Sequence, residues 1–353
     1  MNLQLFLRYV ALISSVGLFS VNTSAREPVT AGEQPNIVLI ITDDQGYGDL
    51  AFTGNTVIKT PALDKLRRQS TLLNNFHVDP TCAPTRAALM TGRYSSRCGV
   101  WHTVQGRNML RAREKTMADI LSENGYATGL FGKWHLGDNF PYRPEDRGFH
   151  EVYRHGGGGV GQTPDVWDNA YFGGSYFHNG EIVPAEGFCT DVFFRQARKF
   201  MRKQVEAGQP FFAYISTNAP HGPLHCPQKY LDMYPSQSQK IAAFYGMITN
   251  IDDNVGATRK FLKELGVSDN TLFIFTTDNG TATGNEVFNA GMRGKKGSEY
   301  EGGHRVPFIA HWPAAGWNTM HQCDILCHAV DVVPTVVGLA GGRKPQSLRW
   351  DGV

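Results

Sequence analysis

Residues 36–46 read NIVLIITDDQG. The first six are apolar at nearly every position, the pattern of a strand buried on both faces, and they run straight into a polar, acidic turn. The rest of the chain repeats this design. Thr60-Pro61 supplies an N-cap and a proline at the first helical position for a helix predicted through about Leu73. Thr116 opens another helix with Gly125 as its stop, and a strand over Ala127–Phe131 exits into GKWHLG at 132–137. A basic amphipathic helix from about Asp191 to Ala207 leads into the strand Phe211–Ser216, which exits into NAPHGP at 218–223. A long helix from about Ile241 to Leu265, stopped by Gly266, precedes the strand Thr271–Phe275, which exits into TTDNG. Apolar strands alternating with amphipathic helices predict an α/β fold with a largely parallel sheet flanked by helices. In such sheets ligands bind beyond the carboxyl ends of the strands, so the four polar exits are expected to converge on one site.

The 353 residues are 41% hydrophobic and 19% charged, with 39 glycines and 18 prolines, which suits one large or two medium cores. Collagen, coiled coil and wholesale disorder are excluded. Lys and Arg number 34 against 32 Asp and Glu, a net charge of +2, so no broad cationic face is available to a nucleic-acid partner. At the N-terminus Arg8 precedes the apolar run Tyr9–Val21 and the small residues Thr23-Ser24-Ala25. That run is short of the ~20 residues a membrane span needs. Residues 1–25 are therefore read as a secretory signal peptide, residues 26–353 as the folded domain, and the location as secreted or periplasmic. Six cysteines, at 82, 98, 189, 226, 323 and 327, are too few and too irregular for a disulfide scaffold; Cys323 and Cys327 either pair locally or are buried. Gly156–Gly159 is expected to form a mobile loop.

Two features carry chemistry. Asp43, Asp44, Asp278 and Asn279 offer only oxygen, which suits a hard divalent cation; alone, either Asp-containing exit would read as a simple turn. Three mutually repelling carboxylates favour a metal, and removing one is expected to cost the folded protein little. The second feature is CAPTRAALMTGR at 82–93. Its proline places Cys82 near a helix N-terminus, where an anion is stabilised, and Arg86 follows about one turn later. Read from the residues alone, this is either an activated cysteine nucleophile with an arginine for an anionic substrate, or a buried structural cysteine.

The motif Cys82-Ala83-Pro84-Thr85-Arg86 with Leu89–Arg93 resembles the signature of the sulfatase family, and TDDQGYGDL at 42–50, GKWHLG, PHGP at 220–223, TDNG at 277–280 and KGSEYEGGHRVP at 296–307 follow in that family's order. The resemblance implies an alkaline-phosphatase-like fold. It implies that Cys82 is oxidised to formylglycine by a formylglycine-generating or anaerobic sulfatase-maturating enzyme. It further implies that Asp43, Asp44, Asp278, Asn279 and the modified residue 82 bind a cation, Ca²⁺ or, as an alternative, Mg²⁺. Arg86, Lys133, His135, His221 and Lys296 match its sulfate-pocket residues. One hydroxyl of the hydrated aldehyde then attacks sulfur, His221 or Lys296 protonates the leaving oxygen, and His135 deprotonates the second hydroxyl to expel sulfate. The substrate class is a sulfated small molecule or glycan, whose discrimination is assigned to loops such as 155–168. The sequence stops where the family usually continues into a small C-terminal subdomain, which is expected to be missing. Two other readings stand beside this one: a phosphodiesterase or phosphonate monoester hydrolase using the same modified cysteine, and a non-catalytic binder of sulfated glycans.

Overall fold

Strand β1 spans Asn36–Thr42 in the computed structural model, which describes residues 34–162, 166–343, 345 and 348–353. The expected signal peptide and residues 163–165 of the loop thought to select substrate lie outside the described residues. In chain order the remaining strands are β2 (Thr71–His77), β3 (Ala127–Gly132), β4 (Glu151–Arg154), β5 (Ser175–His178), β6 (Glu181–Pro184), β7 (Phe211–Ser216), β8 (Thr271–Thr277), β9 (Arg305–His311), β10 (His321–Cys323) and β11 (Cys327–His328). The principal helices are α1 (Pro61–Arg67), α2 (Cys82–Thr91), α3 (Met117–Glu123), α4 (Cys189–Glu206), α5 (Gln239–Glu264) and α6 (Val332–Leu339).

All these strands join one sheet in the order β10-β2-β9-β8-β1-β7-β3-β4-β5-β6, with β11 also on β2. Its centre, β8-β1-β7-β3-β4, is parallel. Antiparallel pairings through β9 on one side and β5-β6 on the other make the whole sheet mixed. The sheet is sandwiched between two helical layers, and β1 shows why its sequence lacks polar alternation. Ile37, Leu39 and Ile41 pack into a core with residues of α2, α3 and α6. Val38 and Ile40 face the opposite core, built with α1, α4 and α5. Every side chain of the run is thus removed from water, each buried Ile or Leu contributing about 1.5–3 kcal/mol.

One expectation fails locally. The helix predicted through Leu73 ends at Arg67, and the chain turns into β2. Leu63, Leu66 and Leu73 imitate a helical stripe, but Leu72 faces one core while Leu73 and Phe76 face the other. A bulge between Leu73 and Phe76 shifts the phase, hiding the two-residue period. The α1 cap also differs from expectation: Thr60 makes no side-chain cap. Asp252, reaching from α5, instead accepts from the N–H groups of Ala62 at 2.9 Å and Leu63 at 2.7 Å. All six cysteines are buried and free, so Cys323 and Cys327 do not pair. Among the described residues no helix is long and apolar enough to cross a membrane.

Candidate functional site

The carboxyl ends of β1, β3, β7 and β8 deliver their polar turns to one place, as the alternation of strands and helices predicts. β1 and β8 are hydrogen-bonded along their whole length, with Thr42 opposite Thr277. Asp43 and Asp44 therefore emerge beside Asp278 and Asn279. The Asp44 N–H donates to Asp278 Oδ1 at 3.1 Å, and Asn279 Nδ2 donates to Asp44 Oδ1 at 3.0 Å. Asp44 adopts φ 69°, a left-handed conformation that a non-glycine residue seldom takes outside a constrained site.

Each carboxylate meets a fixed cation. Lys133 Nζ lies 2.5 Å from Asp43 Oδ2, with both side chains fully buried. Lys296 Nζ lies 2.6 Å from Asp44 Oδ1. Arg86 donates from Nε at 3.1 Å and Nη2 at 2.7 Å to Asp278 Oδ2, and bonds Ser216 Oγ as well. Three carboxylates thus stand against three cations, and the repulsion invoked from sequence is already offset. Removing Asp43 or Asp278 would strand Lys133 or Arg86 in the interior, so the expectation of little stability loss is corrected.

A bound cation is supported by a different observation. Asp43 Oδ1 and Asn279 Oδ1 are buried and accept no hydrogen bond, which is costly for a polar atom. Asp43, Cys82 and Asp278 each bring one ligand atom within 4.8 Å of the others, and so do Asp43, Asp44 and His221. Oxygen donors left open in a buried acidic niche fit a hard cation such as Ca²⁺ or Mg²⁺. Burial and the charge of Asp43 push the Asp278 carboxyl up, while Arg86, Lys133 and Lys296 oppose this; a cation would hold it ionised.

Cys82 is the first residue of α2 and is 2% exposed. The protein's own groups favour the buried-cysteine reading over the activated thiolate: burial pushes the thiol pKa up, Lys133 and Lys296 pull it down, and the carboxylates of Asp43 and Asp278 push it up again. Arg86, 0% exposed and committed to Asp278 and Ser216, does not line the cavity above Cys82. Cys82 Sγ lies 3.4 Å from His135 Nδ1. The other nitrogen of His135, Nε2, contacts the Thr103 carbonyl at 2.8 Å, and a carbonyl only accepts, so Nε2 carries the proton and Nδ1 presents a lone pair toward residue 82. Burial, with the charges of Lys133 and Arg86, holds the His135 pKa well below the usual imidazole value. His135 has φ 63°, a second strained residue at the site.

His221 Nδ1 donates to the Gly222 carbonyl at 2.7 Å, leaving Nε2 for the site, 3.7 Å from Asp44 Oδ2. Burial pulls the Lys296 pKa down, but Asp44 and Asp43 outweigh it and hold the ammonium above its ordinary range. Cys82, His135, His221 and Lys296 line a cavity of about 480 Å³, the size of a small-ligand pocket. Gln162, in the 155–168 loop that the sequence assigns to substrate choice, also lines it; sequence reasoning missed the other polar residues of the wall, Thr103, Gln105, Asn108, Asp138 and Asn139. These lie in segments without periodicity, and only their polarity and nearby glycines hinted at loops. Gly156–Gly159 packs on the site, where a Cβ at Gly158 would come within 2.9 Å of the His135 ring.

The turn that carries Asp43 and Asp44 is held from behind by Asp49, whose Oδ2 accepts from the Gly46 N–H at 2.8 Å. Burial raises the Asp49 pKa from 3.8 to about 7, against hydrogen bonds from Thr281 and Gly46 that lower it. The folded state therefore binds this proton more tightly than the unfolded state. Its stabilising contribution is complete below the unfolded value and is lost as pH rises through about 7, a difference of about 4 kcal/mol. Asp49→Asn is expected to remove that slope. Denaturant unfolding at pH 5 and pH 8 checks this, and an unchanged pH dependence in the variant would contradict it.

The sulfatase family profile matches residues 35–342. The N-acetylgalactosamine-6-sulfatase of Rattus norvegicus is 31% identical over 350 residues, covering 92% of this chain and 65% of that protein. Arylsulfatase A of Bos taurus is 31% identical over 363 residues, covering 95% of this chain and 70% of that protein. Among solved structures, Ps i-CgsB in complex with k-i-k-neocarrahexaose superposes with a TM-score of 0.83 at 33% identity, covering 91% of this chain and 75% of that one. The chain thus spans somewhat less than two thirds of the length of the first of these relatives.

Proposed function

The chain belongs to the sulfatase family, and on that premise we propose that it hydrolyses sulfuric esters of carbohydrates, using residue 82 as a formylglycine. The observation that carries this is the environment of Cys82. It sits on the floor of the polar cavity, directly beside His135 and the acidic niche, yet its thiol pKa is pushed up and the unmodified side chain is a poor nucleophile. Oxidised to the aldehyde and hydrated, residue 82 would supply two hydroxyls, one to attack sulfur and one whose deprotonation frees sulfate.

The chain's own groups divide the remaining tasks. His135, neutral and with its Nδ1 lone pair toward residue 82, accepts the proton of the second hydroxyl as sulfate leaves. Lys296, held protonated, offers a fixed positive charge on the cavity wall to the non-bridging oxygens; the same stabilisation makes it a weak acid. His221 donates to the leaving oxygen through Nε2 only as the imidazolium, since its Nδ1–H is held on the Gly222 carbonyl, and it leaves the step as the neutral ring. Arg86 and Lys133 act from beneath, positioning Asp278 and Asp43. Asp43, Asp44, Asp278, the Asn279 carbonyl oxygen and residue 82 would hold Ca²⁺ or Mg²⁺, which would add positive charge beside the sulfuryl group.

The carbohydrate substrate is supported by the polar wall of Thr103, Gln105, Asn108, Asn139 and Gln162, suited to hydroxyl-rich ligands, and by the sugar bound to the similar Ps i-CgsB. A secreted or periplasmic location, after removal of residues 1–25, is proposed from the N-terminal sequence alone. The test is to produce the protein with a maturation enzyme and analyse the peptide containing Thr81–Arg86. Loss of the thiol, gain of a carbonyl and faster cleavage of sulfate than of phosphate esters are expected. A free thiol in fully active enzyme would overturn the formylglycine reading, and preferential phosphodiester or phosphonate hydrolysis the substrate reading.

A further inference from the structure

Away from the acidic niche, His77 at the end of β2 and His304, which immediately precedes β9, meet ring to ring, with centroids 5.0 Å apart. Their Nδ1 atoms are 2.8 Å apart. The opposite nitrogens show which atoms carry protons. His304 Nε2 lies 3.1 Å from the Glu299 carbonyl oxygen, which only accepts, so Nε2 carries hydrogen. His77 Nε2 lies 2.8 Å from Asn75 Oδ1, and the Asn75 amide is oriented by Nδ2 donating to the Asp324 carbonyl at 3.5 Å. His77 Nε2 therefore carries hydrogen too. With both rings neutral, two lone pairs point at each other, a repulsive arrangement unless a cation lies between them. The carboxylate of Glu301 completes the cluster, one ligand atom from each residue lying within 4.8 Å of the others.

We propose that His77 Nδ1, His304 Nδ1 and the Glu301 carboxylate form a second metal site, selective for Zn²⁺ and separate from the oxygen-rich niche beneath Cys82. The ligand types differ in kind: two imidazoles and one carboxylate suit zinc, whereas Asp43, Asp44, Asp278 and Asn279 suit a hard cation. Each imidazole donates its other N–H to an oxygen, the arrangement that orients histidine ligands in zinc proteins. Two nitrogens on one tetrahedral zinc, at about 2.0–2.1 Å each, stand about 3.3 Å apart, so the rings need to separate by about half an ångström. The alternative occupant is a shared proton. Arg305, 3.4 Å from Glu301 Oε2, competes for the carboxylate but leaves its second oxygen available.

The position gives the site a purpose. β2 leads within five residues to Cys82, and the Gly297 N–H, next to Lys296, donates to the Pro80 carbonyl at 2.8 Å. Zinc on His77 and His304 would tie the strand entering the nucleophile helix to the segment carrying Lys296.

The test is calorimetric titration of the whole chain with Zn²⁺ in excess Ca²⁺, with Co²⁺ as a spectroscopic substitute. One equivalent of zinc is expected, with a rise in melting temperature and visible Co²⁺ bands of a nitrogen-containing, low-coordinate site. His77→Ala and His304→Ala should each abolish that equivalent and those bands, and Asn75→Ala should weaken zinc binding by about 10–100-fold. Substitution of the exposed His102 by Ala should change none of these. Nitrogen NMR of the unligated protein should show both Nδ1 atoms unprotonated near neutral pH. A proton held between the rings that zinc does not displace, zinc uptake surviving both histidine substitutions, or uptake lost only on Asn279→Ala would each overturn the proposal.

Discussion

Asp43→Ala and Asn279→Ala are both expected to lower turnover of a sulfate ester by at least about 10³-fold, but only the first should unsettle the fold. Both remove an oxygen from the niche where Asp43 Oδ1 and Asn279 Oδ1 lack hydrogen-bond partners. Loss of the cation removes charge stabilisation worth several kcal/mol at the sulfuryl group. The side effects differ because the partners differ. Asp43 carries the charge opposite Lys133, whose side chain is fully buried, so its removal leaves an uncompensated ammonium and costs about 3–5 kcal/mol. Asp278→Ala strands Arg86 in the same way. Asn279→Ala leaves all three carboxylate–cation pairs intact and gives up only the Nδ2 bonds to Asp44 and the Gly280 carbonyl, about 1 kcal/mol each. Measured together, turnover, bound calcium and denaturant midpoint separate loss of metal from loss of fold. An Asn279→Ala protein that keeps its calcium and its turnover would exclude that oxygen from the centre.

The same site shows where the sequence was legible and where it was not. β1, β3, β7 and β8 could be read because strands buried on both faces are apolar at nearly every position, and their polar exits stand out against that background. β2 could not: leucines at 63, 66 and 73 have helical spacing, while the bulge near Asn74 and Asn75 that makes them compatible with a strand depends on β9, more than 200 residues away. The acidic residues at 43, 44, 278 and 279 could be grouped by their position after strands. Their pairing with Arg86, Lys133 and Lys296 could not, because it depends on side-chain reach across the sheet end. Ser216, which bonds Arg86 through its hydroxyl and the Lys133 N–H through its carbonyl, looked like the last residue of an ordinary strand. For Cys82 the sequence left an activated and a buried structural cysteine both open, and the choice depends on burial and on two carboxylates brought beside it from β1 and β8, which a helix N-terminus alone does not reveal.

Cys82→Ser should stop the reaction after one event. The substituted hydroxyl stands at the start of α2 in the place of the sulfur, which lies 3.4 Å from His135 Nδ1. His135, the base for the second hydroxyl of the hydrate, has no such group to serve in the variant, so the serine hydroxyl attacks sulfur slowly, giving its proton to solvent while Lys296 and, when bound, the cation supply positive charge. The alcohol leaves with a proton from His221, so one equivalent of product per site is expected. Release is a separate problem. A formylglycine hydrate carries a second hydroxyl on the same carbon, whose deprotonation expels sulfate and restores the aldehyde, whereas serine has hydrogen there. Only water attacking an anionic sulfur enclosed by the cavity could then free the sulfate. The variant should therefore accumulate a covalent sulfate on residue 82, visible as added mass on the peptide containing Thr81–Arg86 after incubation with an activated aryl sulfate. Adding His135→Ala to Cys82→Ser should leave that single sulfation largely unchanged, because His135 serves the second hydroxyl that serine lacks, whereas His135→Ala alone in the matured enzyme should slow release of sulfate by about 10²–10⁴-fold, the range for removal of a positioned base. Sustained turnover by Cys82→Ser near the wild-type rate would refute the two-hydroxyl scheme, because ordinary hydrolysis of a serine ester would then suffice.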